Sequence, residues 1–165
     1  HTAFDPCGSC RPEALGVILP NTDLVLFDLK LMNAQIHQRE TGQGNQRILE
    51  NLLRIADWIR TEKTPAKLWI RTPLIPGITT SKANLSGIST FIQDNLDGLV
   101  QRWECCAFNN LCRDKYRRLD IPWQFAATPL MTQALLDECR AVIDTGRFDP
   151  ERAVITGPTQ SESLT

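Results

Sequence analysis

Apolar positions along the chain fall into two rhythms, and each switch between them marks an element. The stretch Asp23-Leu24-Val25-Leu26-Phe27-Asp28-Leu29-Lys30 is an apolar run ending in a carboxylate and an amine two residues apart. Side chains of a strand alternate between faces, so Leu24, Leu26, Asp28 and Lys30 share one side while Val25, Phe27 and Leu29 take the other. Both sides are apolar until Asp28, the pattern of a parallel strand covered on both faces. Before it, His1 to Asp5 reads as the end of a strand, Pro6-Cys7-Gly8-Ser9-Cys10 as a turn, and residues 11–19 as a short helix with Leu15, Val17, Ile18 and Leu19 on one face, closed by Pro20. After it, Asn33 caps a short helix through His37 and Glu40 that stops at Thr41-Gly42.

Ile48, Leu49, Leu52, Leu53, Ile55, Ala56 and Ile59 recur at three- and four-residue spacing and predict a helix from Asn45 to about Thr61. Ala66 to Thr72 reads as a strand with Leu68 and Ile70 on one face and Lys67, Trp69 and Arg71 on the other, ended by Pro73 and the Pro76-Gly77 turn. Ser81 caps a helix through Leu85, Ile88, Phe91 and Ile92 to Asp97-Gly98. A strand over 101–108 groups Trp103, Cys105, Ala107 and Asn109 on one side. A basic amphipathic turn, Arg113 to Arg118, follows it, and a helix over 132–145 presents Leu135, Leu136, Cys139, Val142 and Ile143. Ala153 to Gly157 is a last short strand, and residues 158–165 form a polar, fraying tail. Strands alternating with helices predict an α/β fold of βαβ units around a parallel sheet.

In such folds ligands bind at the C-terminal strand ends. Asp28 with Lys30, then Arg71, then Asn109 fall at three successive ends. Lys and Arg supply donors for a carboxylate or phosphate, Asp an acceptor for a hydroxyl or ammonium, and Asn both. The residues leave two readings open: a ligand site suited to an amino acid joined to a ribose, or a local ion pair of little worth.

Composition narrows the classes. One chain of 165 residues buries a single sizeable core but is short for an eight-stranded barrel, which takes about 250 residues. Eighteen Lys plus Arg against 19 Asp plus Glu give no electrostatic reason to expect nucleic acid or an anionic membrane, and no apolar run approaches a membrane span. The six Cys, at 7, 10, 105, 106, 112 and 139, are too unevenly spread for a secreted disulfide framework and point to a reducing cytoplasm. Cys7 and Cys10 form a C-x-x-C with no second pair and no nearby His to complete a zinc site. The residues leave open a metal or redox role, or simply a loop cysteine and a helix-start cysteine. The opening at His1 reads as a piece of something longer.

Several motifs in register resemble one family. Phe27-Asp28-Leu29-Lys30, Met32-Asn33, His37, Thr41-Gly42, Asn45 and Ile48-Leu49-Glu50-Asn51-Leu52 resemble the radical SAM activating enzymes of glycyl radical enzymes, the pyruvate formate-lyase activating enzyme group. Trp69-Ile70-Arg71-Thr72-Pro73-Leu74-Ile75-Pro76-Gly77, Lys115-Tyr116 and the start His1-Thr2-Ala3-Phe4-Asp5 with Cys7-Gly8 are similar to further signatures of that group. The resemblance covers residues 1–157.

It implies the C-terminal portion of a partial (β/α) barrel of the radical SAM type, parallel strands alternating with helices. In that family S-adenosylmethionine binds at a [4Fe-4S] cluster, is cleaved reductively, and yields a radical that takes hydrogen from a glycine of a partner glycyl radical enzyme. The electron comes from a donor such as flavodoxin or ferredoxin. By family position Asp28 and Lys30 contact the ribose and methionyl carboxylate, Asn109 stands where better-known members carry a ribose-contacting His, and Arg71 lies near cofactor or peptide. Asp5 matches a position that helps hold a monovalent cation, although Pro6 replaces the usual Thr or Ser beside it. His37 is a candidate for the partner-peptide site.

The C-x3-C-x2-C loop that holds the family's cluster and the Gly-Gly-Glu segment that recognises the methionyl amine are not in this sequence. The expectation is therefore a C-terminal part, its cluster cysteines upstream of His1, inert alone, with an open sheet edge that invites self-association. From the residues alone, a barrel lyase using Lys30 as a Schiff-base amine and a non-catalytic binding domain are the alternatives.

Overall fold

Five parallel strands lie side by side in the order of the chain in the computed structural model, which describes residues 1–65 and 67–159. They are β1 (Ala3–Phe4), β2 (Leu24–Asp28), β3 (Lys67–Leu74), β4 (Val100–Ala107) and β5 (Ala153–Thr156). The helices between them are α1 (Pro12–Ile18), α2 (Ala34–Thr41), α3 (Gln46–Glu62), α4 (Lys82–Asn95), α5 (Cys112–Arg118) and α6 (Gln133–Asp144). Crossovers between parallel strands are right-handed almost without exception, so an unbroken 1-2-3-4-5 order puts the connecting helices on one face of the sheet. This is the winding of a (β/α) barrel rather than of a doubly wound sheet.

Burial follows from that winding. On the helix face Val25, Phe27, Leu68, Ile70, Leu74, Trp103 and Cys105 are at most 1% exposed. The indole of Trp103 is buried there because its N–H reaches Thr72 Oγ1 at 3.0 Å, and Thr72 in turn donates to the carbonyl of Leu29 at 2.8 Å. On the other face Leu24, Leu26, Asp28, Trp69, Arg71, Arg102, Glu104, Cys106 and Thr156 are only half-buried. The expectation that β2 is covered on both sides is thus corrected: helices sheathe one face, and the charged residues line the open one.

Most predicted elements are present, several with the expected caps. Asn33 and Ser81 each accept a hydrogen bond from the N–H three residues on, as Thr132 also does at the start of α6, and Gly42 closes α2 in the left-handed conformation. Two details differ. Val17 is 74% exposed, because α1 turns its Leu15–Leu19 stripe to the core and a position two residues from Leu15 lies on the far side. The strand expected to stop at Pro73 runs on to Leu74. Arg71 directs its carbonyl to Leu29 N–H of the β2 segment, so the missing N–H of Pro73 falls on that same side, beyond the last paired residue of β2, Asp28. Asn45, the residue before α3, makes no cap bond and gives its side chain to another task described below. Of the predicted tail, residues 160–165, like Ala66 in the β3 prediction, lie outside the described residues.

Candidate functional site

The open face carries a row of charges that crosses the sheet where β1 and β2 end; Arg71, expected at a strand end, lies three residues before the end of β3 because that strand runs on to Leu74, and Glu104 lies three before the end of β4. Asp28 and Arg71 are direct partners in the β2–β3 register, and Arg71 and Glu104 in the β3–β4 register. Partners in register project to the same side, so the three side chains stand in line. Asp5, just past β1, completes the row: its Oδ2 accepts from Arg71 Nη1 at 2.9 Å. Glu104 Oε2 lies 3.2 Å from Arg71 Nε, and its Oε1 accepts from Arg102 Nη2 at 3.0 Å. Arg102 lies over the Trp69 ring at 4.8 Å.

Arg71 is therefore held on both edges by carboxylates from two different strands. Burial alone lowers its pKa, but neighbouring Cys106, Asp5 and Glu104 raise it above the ordinary arginine value. Burial pushes the Cys106 thiol up despite the pull of Arg71, so at neutral pH it is a neutral thiol and the two carboxylates are the charges that Arg71 feels. The Nε–H groups of Arg71 and Arg102 are buried without a hydrogen-bond acceptor; the approach of Arg71 Nε to Glu104 is an ion pair without hydrogen-bond alignment. Both Nε atoms are shielded from the open face, so the third of the Arg71 side chain that is exposed meets a ligand through its other atoms.

Lys30 stands two residues beyond the end of β2 and donates to Asp28 Oδ2 at 2.7 Å, both side chains about one-third exposed. Two buried asparagines fix the backbone around it. Asn84 of α4 donates to the carbonyls of Lys30 and Thr79 and accepts from Met32 N–H, each at 2.9 Å. Asn45 donates to the carbonyls of Leu31 and Met32 at 2.9 and 2.8 Å. A third, Asn51 of α3, donates to the carbonyls of Gly8 and Cys10 at 2.9 Å and so pins the loop after Asp5. Each of the three satisfies backbone groups that leave the sheet at a strand end, where no ladder partner remains.

Lys30 also lines a cavity of about 290 Å³ with Cys7, Ser9, His37, Thr41, Gln43 and Ile48. His37 is 5% exposed. Its Nδ1 lies 2.7 Å from the carbonyl of Gln43, which only accepts, so Nδ1 carries the proton and Nε2 is the free nitrogen. The structure thus brings His37 beside Lys30 at one cavity, and Asp5 beside Arg71 on the open face. It does not bring Asn109 to them: β4 ends at Ala107, and Asn109 accepts from the N–H of Leu111 in the loop before α5. Glu104 escaped the sequence reading, although a lone carboxylate between Trp103 and Cys105 was its signal. Asn84 and the anchoring roles of Asn45 and Asn51 escaped too; polar residues on the buried face of a helix were theirs.

No protein-family model matches the chain. Comparison with characterised proteins is more informative. The chain is 31% identical over 120 residues to the isethionate sulfite-lyase activating enzyme of Nitratidesulfovibrio vulgaris, covering 73% of this chain and 36% of that protein. It is 31% identical over 130 residues to the pyruvate formate-lyase-activating enzyme of Staphylococcus epidermidis, covering 75% and 49%. The chain belongs to the family of glycyl-radical-enzyme activating enzymes. Members of the family are enzymes of the radical SAM class, and the chain spans between about a third and a half of the length of these relatives. A crystal structure of a domain of pyruvate-formate lyase-activating enzyme from Bacteroides vulgatus shares the fold, with a TM-score of 0.69 at 21% identity over 95% of this chain and 81% of that one.

The family's two cofactors fit the described residues unequally. For S-adenosylmethionine the donor set is suitable: an ammonium, a guanidinium and a carboxylate, each about one-third exposed on a half-open face. For the iron–sulfur cluster it is not, since among the described residues no group of three or more His, Cys, Asp or Glu is placed to hold a metal. Nor, among the described residues, is any helix long and apolar enough to cross a membrane.

Proposed function

We propose that residues 1–157 are the C-terminal part of a radical SAM partial barrel in an activating enzyme that acts on a glycyl radical enzyme, with 158–165 as a polar tail. The observation that carries the reading is the charged row on the open face, Asp5–Arg71–Glu104, continued by Asp28–Lys30. In it Lys30 binds the methionyl carboxylate of S-adenosylmethionine and Asp28 accepts from the ribose hydroxyls. Arg71, fixed by its two carboxylates, presents its guanidinium to cofactor or to the carbonyls of an incoming peptide. Asn109 is the weaker ribose contact, Asp5 a carboxylate shared between Arg71 and a cation, and His37 a residue of the peptide side. Bound by these residues in the whole enzyme, the cofactor would supply the hydrogen-abstracting chemistry directed at the partner's glycine. The residues of this chain orient it, and keep the site polar on one side and packed on the other.

The cluster ligands belong to a different part of the enzyme, and this chain alone does not cleave S-adenosylmethionine. The electron donor is a flavodoxin or ferredoxin, the compartment the cytoplasm, and the short edge strand β1 the place of self-association or of further strands. A Schiff-base role for Lys30 finds no support, because its amine is committed to Asp28 rather than isolated in an apolar pocket.

Two measurements test the reading. Titration calorimetry with S-adenosylmethionine should show saturable binding to the chain that Lys30→Met weakens by about tenfold, ~1.4 kcal/mol. Equal heats from both proteins refute the cofactor assignment. Reconstitution with iron and sulfide should leave the chain without a [4Fe-4S] electron paramagnetic resonance signal; a signal accompanied by cofactor cleavage overturns the assignment of the ligands elsewhere.

A further inference from the structure

The C-x-x-C of the loop between β1 and α1 takes no part in the function proposed above, yet it is held like a working site. Gly8, between the two cysteines, has a φ of +74°, and a Cβ there would stand 2.4 Å from the Phe27 ring, so the chain reverses against the core at a fixed point. Asn51 ties the carbonyls on both sides of Ser9 to α3, and its amide nitrogen lies 3.8 Å from Cys10 Sγ. Cys7 is exposed, at the wall of the cavity that Lys30 and His37 also line, while Cys10 is half-buried against the core. No carboxylate lines that cavity, so nothing repels an anionic thiol reagent. The remaining cysteines are differently placed: Cys105 and Cys139 are buried, Cys106 is half-buried beside Arg71, and Cys112 is exposed on α5 with no cysteine near it in sequence.

We propose that Cys7 and Cys10 are a dithiol modification site, oxidised to an intramolecular disulfide by low-molecular-weight disulfides of the glutathione class. Cys7 sulfur, giving up its proton to solvent, attacks one sulfur of the oxidant, and the S–S bond breaks with release of one thiol. Cys10 sulfur then attacks Cys7 in the mixed disulfide and releases the second thiol. Two protein thiols lose two hydrogens, and one oxidant disulfide becomes two thiols. The exposed member is the attacking one and the anchored member the resolving one. The new bond draws Cys7 toward Cys10 and away from the wall it shares with Lys30, so the redox state of the pair sets the shape of that cavity. The site stands independently of the cofactor assignment.

The test is peptide mapping of the native chain under non-reducing conditions after incubation with glutathione disulfide. The peptide carrying Cys7 and Cys10 should lose two hydrogens and carry no glutathione, whereas Cys112 in the same molecules should retain a glutathione adduct. In Cys10→Ser the adduct should persist on Cys7. Asn51→Ala, with the loop unpinned, should prolong the life of the mixed disulfide. Phenylarsine oxide, which bridges only neighbouring thiols, should protect both cysteines from alkylation and leave Cys112 reactive. A stable glutathione adduct on Cys7 in the unmutated chain, a disulfide from Cys7 to any other cysteine, or alkylation of the pair despite the arsenical would each overturn the proposal.

Discussion

Replacing Asn84 by Ala should cost the chain more stability than any single surface change and should loosen the backbone that presents Lys30. The side chain is 6% exposed and makes three neutral hydrogen bonds, to Lys30 O, Thr79 O and Met32 N–H. At a net worth near 1 kcal/mol each, with an added penalty for buried groups left unpaired, the loss is about 2–4 kcal/mol. The lower end applies if water entering the adjoining cavity of about 350 Å³ satisfies some of them. Denaturant unfolding measures the loss, and amide exchange of Met32 reads the local part. Asn33→Ala is the internal standard, because it removes one exposed cap bond to Ile36 N–H, at about 1 kcal/mol. If Asn84→Ala costs no more than Asn33→Ala and Met32 exchanges at its original rate, the anchoring role of Asn84 is wrong.

Gly8→Ala should destabilise by about 2–4 kcal/mol, from the left-handed backbone and from overlap with the immobile Phe27 ring, and a thermal melt unchanged within error would refute this. Stability should also fall as pH rises above 9. Burial raises the pKa of Cys105, Cys106 and Cys139 above their ordinary 9.0, so above that pH the unfolded chain gives up these protons while the folded chain retains them. The stabilisation is whole below 9 and is lost toward the folded values. Unfolding midpoints at pH 8 and pH 10 check it, and equal midpoints contradict it.

The elements were legible because each has a local cause. An apolar run with a charged tip marks β2, period-two alternation marks β3 and β4, the three- and four-residue stripe marks α3, and Asn33 and Ser81 announce helix starts with side chains that need no tertiary partner. The alternation also placed Asp28, Lys30 and Arg71 on the faces they occupy. What sequence does not carry is the use of a polar side chain at a distance. Asn45 sits where a helix cap belongs, but its amide reaches back fourteen residues to Leu31 and leaves the cap unmade. Asn109 shares the alternation of Trp103 and Cys105, yet the strand stops at Ala107 and that periodicity ends before it reaches Asn109.

The neighbour of Arg71 depends on a single irregularity between β3 and β4. Leu68 pairs with Val100 but Trp69 pairs with Arg102, so β4 carries one extra residue, Gln101. Without it Arg71 would stand opposite Trp103, and the helix face of one strand would meet the open face of the other. With it Arg71 meets Glu104, and both rows keep to their own faces. The bulge disturbs the ladder at Leu68, whose N–H is taken instead by Gln101 Oε1 at 2.7 Å. The residue that shifts the register thus repairs the bond the shift breaks. The pairing of a guanidinium with a carboxylate across the open face is a consequence of where one glutamine was inserted, not of any pattern within either strand.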